Sequence, residues 1–202
     1  MRLGDTTTWS RPLFRIHRVA GAYPAQWNQF RMFGPIEGCR WDPHPLPRAD
    51  HPGYGLLYTA TDPAAALAEA FGAHRLIRRS AQMALTGWEP TRPLRLLDLS
   101  SNWPIRHGAG RALSAGPRST CRAWARGILE HVRGADTGTV AAGLDGLIAD
   151  STLTGAPSRV VALWEPAVSA FPAAPAMSMP LDAPALSGVI ADASERTGYR
   201  VG

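Results

Sequence analysis

Hydrophobic and polar positions along this chain predict short strands mixed with a few helices. Residues 13–19 alternate apolar and basic side chains, which is typical of a half-exposed strand with Arg15 and His17 on one face. Further apolar runs predict strands at residues 94–99, 145–150 and 159–164. This mixture of elements predicts an α+β fold.

The segment of residues 54–71 carries the clearest local signals. An apolar run beside glycines at residues 56–58 predicts a central strand. Asp62 followed by a proline is a typical helix start, and the alanines and leucines after it favour a helix. Glu69 is the one carboxylate in that helix, and it is either a solvated surface residue or a site residue.

A long irregular segment, residues 20–52, is rich in proline, glycine and aromatic residues. Loops of this length in a compact domain are often functional. It contains Arg40 and Trp41, and such arginines among aromatics suit a pocket that stacks a flat ring and holds a phosphate. They suit equally a loop that its aromatic residues pin to the core.

Residues 118–132 predict an amphipathic helix. Arg118, Arg122 and Arg126 lie four residues apart on one stripe, where like charges repel. The row is interpreted as a solvated face in preference to a phosphate or nucleic-acid surface.

The C-terminal part is predicted from composition and helix signals. Residues 165–185 are rich in proline and alanine and are expected to form an extended surface connection. Residues 186–196 predict a terminal helix that ends at Gly198.

The length of 202 residues is that of one domain with a substantial core. No apolar run is long enough to cross a membrane, and the first residues lack the apolar core of a signal peptide. A soluble cytoplasmic protein is therefore expected.

All 21 basic residues are arginine, and the formal net charge is +5. The absence of lysine excludes Schiff-base chemistry and a Walker-A phosphate loop. Any phosphate must then be bound by guanidinium groups or backbone N–H groups. The positive charge is compatible with an anionic partner.

Other common chemistries find little support. The six histidines form no HExxH pair and no cluster with cysteine, so no metal site is predicted. The sequence also has no GxSxG elbow and no dinucleotide-binding glycine fingerprint after a strand.

The remaining polar residues at predicted strand ends and helix positions are Arg15, Arg40, Tyr58, Glu69 and Ser151. This set suits the cleavage of a glycosidic bond next to a diphosphate. Arginines would hold the diphosphate, the tyrosine ring would stack on a nicotinamide, and the carboxylate would stabilise a positively charged ribosyl carbon.

Four stretches in this order, GCRW, GLLYTATDPAAALAE, LRLLDLS and DGLIADS, resemble the RES domain family over about residues 14–164. The family is named for an arginine, a glutamate and a serine, and it includes toxins of RES–Xre toxin–antitoxin pairs. The resemblance implies a single domain over residues 1–202, similar to ADP-ribosyltransferase toxins. It also implies an enzyme that consumes NAD as a phosphorylase or glycohydrolase, with an Xre-type antitoxin as its partner.

The resemblance also implies residue roles. Glu69, Arg40 and Tyr58 would be catalytic, and the residues that bind NAD would be Arg15, Arg40, Trp41, Tyr58 and Ser151. Two departures from the family pattern are Cys39 in place of a glycine and Asp150 in place of a proline.

Several alternatives stay open. The acceptor of the ribosyl group is phosphate, water or a protein side chain, and the last would make the enzyme a mono-ADP-ribosyltransferase. A non-enzymatic nucleic-acid-binding module is the competing class, although direct nucleic-acid binding is disfavoured because the basic residues are spread along the chain. The sequence leaves open whether the chain forms a homo-oligomer.

Overall fold

The computed structural model describes residues 1–202, apart from the side chains of Leu3 and Arg111. Its strands are β1 Thr6–Trp9, β2 Leu13–Arg18, β3 Phe33–Gly34, β4 Ala49–Asp50, β5 Leu56–Ala60, β6 Leu76–Ile77, β7 Met83–Trp88, β8 Leu94–Asp98, β9 Gly146–Asp150, β10 Arg159–Trp164, β11 Met177–Pro180 and β12 Arg200–Val201. The α-helices are α1 Pro63–Phe71, α2 Trp103–Arg106, α3 Arg118–Arg133 and α4 Ser187–Thr197. Short 3-10 helices cover Leu3–Asp5, Arg111–Ala115, Glu165–Ala170 and Pro184–Leu186.

One eight-stranded sheet forms the centre of the fold, in the order β1-β8-β9-β10-β5-β2-β7-β11. Strands β8 and β9 pair in parallel, and the other neighbours in this sheet pair antiparallel. Two separate two-stranded pairings join β3 to β4 and β6 to β12. A mixed sheet with flanking helices confirms the predicted α+β class.

The strand–turn–helix unit in the middle of the sequence forms as its local signals predict. Strand β5 lies between β10 and β2, and α1 follows it after a short turn. The side chain of Asp62 caps α1 by accepting a hydrogen bond from the backbone N–H of Ala65 at 2.9 Å, and Pro63 opens the helix.

Two groups of helices cover one face of the sheet. Because side chains alternate along a strand, Leu56 and Tyr58 of β5 face the same side. There α3 packs over one part of the sheet, while α1 and α4 pack over the part that includes Phe14 and Ile16 of β2. A third cluster, which includes Leu57 of β5, lies on the opposite face.

The C-terminal connection differs from its prediction. Residues 165–185 were expected to form an extended surface connection, but they contain a 3-10 helix and strand β11, which pairs with β7 at the edge of the sheet. Leu181 directly after β11 is fully buried. Prolines and alanines weaken the apolar alternation of this edge strand, and its pairing with β7 supplies the order that composition does not show.

The boundaries of the other predicted elements agree with the structure to within one or two residues. Strands β1, β3, β4, β6, β7 and β12 and helix α2 were not predicted. Strand β7 is buried along most of its length and therefore lacks the alternation of a half-exposed strand. No helix among the described residues is both long and apolar enough to cross a membrane.

Candidate active site

A cavity of about 410 Å³ opens on the helix-covered face of the sheet. Strands β2 and β5, helix α1, the first turn of α3, the loop at residues 38–41 and the segment after β9 all contribute to its wall. The volume lies within the usual range of small-molecule sites. Its wall carries both signs of charge, with Arg40, Arg118, Glu69 and Asp150 among the lining residues.

Glu69 lies in the second half of α1 and borders this cavity. The hydroxyl of Ser151, directly after β9, donates a hydrogen bond to Glu69 Oε1 at 3.2 Å. Burial raises the pKa of Glu69, while the Ser151 hydrogen bond and the charges of Arg40 and Arg118 act in the opposite direction. The structure therefore brings the predicted glutamate and serine together.

The ring of Tyr58, on the central strand β5, lines the cavity on the side of the sheet, which we call the cavity floor. The phenolic oxygen accepts a hydrogen bond from the backbone N–H of Trp41 at 2.9 Å. Burial raises the pKa of Tyr58 well above its ordinary value, so the hydroxyl keeps its proton. The side chain of Trp41 is buried in the core beneath the loop, and this hydrogen bond ties the loop to the central strand.

Arg40 borders the cavity beside Tyr58 and Glu69. Its Nη1 donates to the carbonyl oxygen of Gly116 at 2.5 Å and lies 3.6 Å from the sulfur of Cys121. One nitrogen of the guanidinium is therefore engaged with the segment that leads into α3, and the charge of Arg40 still acts on Glu69.

A buried ionic network holds the loop that presents Arg40 and Trp41. The fully buried Asp42 accepts hydrogen bonds from Arg31 Nη2 and from the backbone N–H of Ile36, both at 2.8 Å. Its other oxygen contacts Nδ1 of the buried His44 at 2.5 Å. These hydrogen bonds and the charge of Arg31 keep the pKa of Asp42 well below its ordinary range despite burial, which acts the other way.

The roles of Asp42 and Arg31 in this network were not predicted from the sequence. Asp42 follows the arginine–tryptophan pair in the sequence, but its partner Arg31 lies eleven residues earlier. Only the folded loop brings them together.

Arg15 is placed differently from the other predicted residues. The chain at Arg15 borders the cavity, but the guanidinium Nη1 donates to the backbone carbonyls of Trp27 at 2.8 Å and Gln29 at 3.0 Å. On β2 it alternates with Phe14 and Ile16, which lie in the cluster with α1. Burial lowers the pKa of Arg15 to about 10. The structure uses this guanidinium to fix the turn after β2.

Arg118 is a charged cavity residue that was not predicted to belong to the site. It opens α3 and lines the cavity, whereas Arg122, one turn later, donates to the carbonyl of Glu37 at 2.7 Å. The arginine row is therefore divided between a cavity and a loop contact. The spacing of the row was visible in the sequence, but the sequence did not show that its first arginine shares a cavity with Glu69.

Cys39 also lines the cavity, and Arg31 Nη2 lies 3.8 Å from its sulfur. Burial raises the pKa of the Cys39 thiol, which disfavours the reactive thiolate. Among the described residues, no group of three histidine, cysteine, aspartate or glutamate side chains could hold a metal ion.

Comparison with known proteins identifies the family. The family model of the RES domain matches residues 12–182. The chain belongs to the RES domain family. The matched region extends past residue 164, where the sequence resemblance was expected to end, and it includes the edge strand β11.

A solved relative supports the fold of this RES domain. The crystal structure of the M. tuberculosis MbcT–MbcA toxin–antitoxin complex contains a chain with a TM-score of 0.51 and 19% identity, and the alignment covers 96% of this chain and 92% of that one. At this identity the likeness concerns the fold alone. No curated protein matches the chain significantly.

Proposed function

We propose that this RES-domain protein consumes NAD by breaking the bond between nicotinamide and ribose. The observation that carries the proposal is the partly desolvated carboxylate of Glu69, which is oriented by Ser151 and shares one cavity with Tyr58, Arg40 and Arg118. Membership of the RES family supports the same assignment.

The chemistry needs little more than charge stabilisation and orientation. As the C–N bond breaks, its electron pair leaves with nicotinamide, whose ring becomes neutral, and the ribosyl carbon becomes positively charged. The ionised form of Glu69 would stabilise that carbon, because a carboxylate in a partly desolvated site interacts strongly with a developing cation. An oxygen of the acceptor then bonds to the carbon, and the acceptor loses a proton.

The other residues would position the substrate. Arg40 supplies positive charge for the diphosphate with the guanidinium nitrogens that do not contact Gly116. The ring of Tyr58 forms the floor for the nicotinamide riboside, and Trp41 supports that floor from the core through its backbone bond to Tyr58. Ser151 orients Glu69.

The proposed enzyme is a phosphorylase or glycohydrolase that acts in the cytoplasm, with inorganic phosphate or water as acceptor and no metal. A mono-ADP-ribosyltransferase with a protein side chain as acceptor is the alternative within the same chemistry. The proposed biological role is that of a toxin with a cognate Xre-type antitoxin, since the solved relative is described as part of a toxin–antitoxin complex. Such a partner would neutralise the enzyme by covering the cavity.

The experiment measures NAD loss by the purified protein with and without inorganic phosphate. Glu69→Gln should lower the rate at least about a hundredfold, because electrostatic stabilisation of this kind typically contributes that much or more. Glu89→Gln is the matched control, since Glu89 is exposed and does not border the cavity. Loss that requires phosphate indicates phosphorolysis, and loss without it indicates hydrolysis.

Undiminished NAD loss with Glu69→Gln would contradict the proposal. The assay also tests the antitoxin partner, because a complex that turns over NAD as fast as the free chain would contradict neutralisation at the cavity.

No observation favours the nucleic-acid-binding alternative. Arg118 borders the cavity and Arg122 contacts the carbonyl of Glu37, so the arginine row does not form one open basic surface.

A further inference from the structure

Three arginines border the cavity, and they differ in what their guanidinium groups contact. Arg15 donates to backbone carbonyls of the turn after β2, and Arg40 donates to the carbonyl of Gly116. The side chain of Arg118 is exposed and, within the part of the chain that the structure describes, makes no hydrogen bond or ion pair. Its guanidinium therefore has all its donors available to a ligand in the cavity.

The position of Arg118 does not serve the stability of α3. It is the first residue of a 16-residue helix whose first turn contains no acidic side chain. A positive charge at this end opposes the helix dipole, which favours anions there and cations at the other end. Arg118 also begins the row of like charges with Arg122 and Arg126, four residues apart.

The surroundings of Arg118 indicate what its charge would bind. It shares the cavity with Glu69, and its charge acts on that carboxylate without forming an ion pair with it. A phosphate held here would lie beside the carboxylate that the proposed reaction uses. Arginine suits this role because its planar group binds phosphate oxygens in pairs.

We propose that Arg118 is a phosphate-binding residue of the cavity, with a guanidinium that the protein leaves free for this purpose. The inference rests on the proposed function and adds a ligand contact to it. Two sources of phosphate fit the same chemistry, namely the diphosphate of NAD and inorganic phosphate acting as the acceptor.

The first arm of the test asks whether Arg118 binds the diphosphate of NAD. Binding of ADP-ribose is measured by calorimetry in phosphate-free buffer for the wild type, Arg118→Gln and Arg126→Gln. Arg126→Gln is the matched control. It removes the same charge two turns along the same helix, at a residue that does not border the cavity. We expect Arg118→Gln to weaken binding about tenfold and Arg126→Gln less than about twofold.

The salt dependence of binding and the melting temperature distinguish a ligand contact of Arg118 from a structural role of this residue. The difference between Arg118→Gln and the wild type should shrink as sodium chloride is raised to about 0.5 M, because exposed charges are screened. The melting temperature of Arg118→Gln should equal or exceed that of the wild type, because glutamine is a good helix former and removes the charge that opposes the helix dipole.

The second arm asks whether Arg118 binds inorganic phosphate. Binding of phosphate alone is followed by the broadening of its ³¹P resonance, and the phosphate concentration that half-saturates NAD loss is compared among the three proteins. If Arg118→Gln leaves ADP-ribose affinity unchanged but raises that concentration about tenfold, Arg118 binds the acceptor.

Other outcomes separate this inference from the proposed function. If the wild type binds both probes and Arg118→Gln matches Arg126→Gln in both arms, the inference is wrong and the proposed function stands. If phosphate binding depends on Arg118 but no ADP-ribose binds and no NAD is lost, the phosphate contact stands and the assignment to NAD is wrong. If the wild type binds neither probe, both are wrong.

Discussion

Two carboxylates in neighbouring regions have opposite environments. Asp42, in the loop that presents Arg40, is fully buried and accepts hydrogen bonds from a guanidinium, a backbone N–H and an imidazole. Glu69, in the cavity wall, has the hydroxyl of Ser151 as its donor, and no ion pair to it forms among the described residues. The pKa of Asp42 is lowered, and that of Glu69 is raised.

The difference separates a carboxylate that stabilises the fold from one that is available to a ligand. Desolvation of a charge is unfavourable, and partners around Asp42 offset it within the protein. At Glu69 the partners offset the desolvation of the carboxylate only in part. A cation in the cavity would therefore interact favourably with it. A carboxylate in a cavity with a raised pKa and incomplete pairing is a common mark of a functional site.

The largest effect that this comparison predicts is on folding stability. Asp42→Asn should lower the free energy of unfolding by about 3 kcal/mol, because it removes the negative partner of Arg31 and turns an amide group toward hydrogen-bond donors. Glu69→Gln should change it by less than about 1 kcal/mol, because the amide oxygen can still accept from Ser151. Urea denaturation at neutral pH measures both values.

Each variant changes a carboxylate to the corresponding amide, so each serves as the control for the other. Equal losses of stability would show that Glu69 is as firmly built into the fold as Asp42, and the distinction between the two regions would then be lost.

The sequence predicted the parts of the site that depend on neighbours along the chain. The cap at Asp62 and the alanines after it specify α1, and the helix carries Glu69 into the cavity wall. The apolar run at β5 likewise places Tyr58 on the face that the cavity uses. Local propensity determines both elements, and capping also determines the start of α1. The sequence alone was therefore sufficient to predict them.

Other parts depend on contacts between distant segments. Alternation along β2 separates Arg15 from Phe14, but it does not show that carbonyls of the following loop surround the guanidinium. The arginine row of α3 has a regular spacing, yet only the packing of the helix places Arg118 beside Glu69. Strand β11 becomes ordered by pairing with β7, which its proline- and alanine-rich surroundings did not indicate.

Tyr58 lies between the two regions and provides a smaller test. Tyr58→Phe keeps the ring in the cavity floor but leaves the backbone N–H of Trp41 without its acceptor. We expect a loss of about 1–2 kcal/mol in the free energy of unfolding, because an unpaired buried donor keeps its desolvation penalty. A KM for NAD raised several-fold should accompany it, because the same bond holds the loop that carries Arg40.

Denaturation and steady-state kinetics measure these two effects on one protein. If stability falls while KM is unchanged, the hydroxyl serves the fold alone. If KM rises while stability is unchanged, the hydroxyl serves the substrate instead.

The last prediction concerns the pH dependence of stability, and its sign differs between the two carboxylates. The lowered pKa of Asp42 means that the unfolded chain binds more protons just below pH 4, so the stabilisation of wild type over Asp42→Asn is present above about pH 4 and is lost as pH falls. The raised pKa of Glu69 means that the folded chain keeps this proton to a higher pH than the unfolded chain does. Wild type should therefore lose stability relative to Glu69→Gln as pH rises above about 4.3. Unfolding free energies of the three proteins, measured below and above pH 4, should give two wild-type-minus-variant difference curves of opposite slope. Slopes of the same sign would show that both pKa values shift in the same direction on folding, which would contradict the comparison.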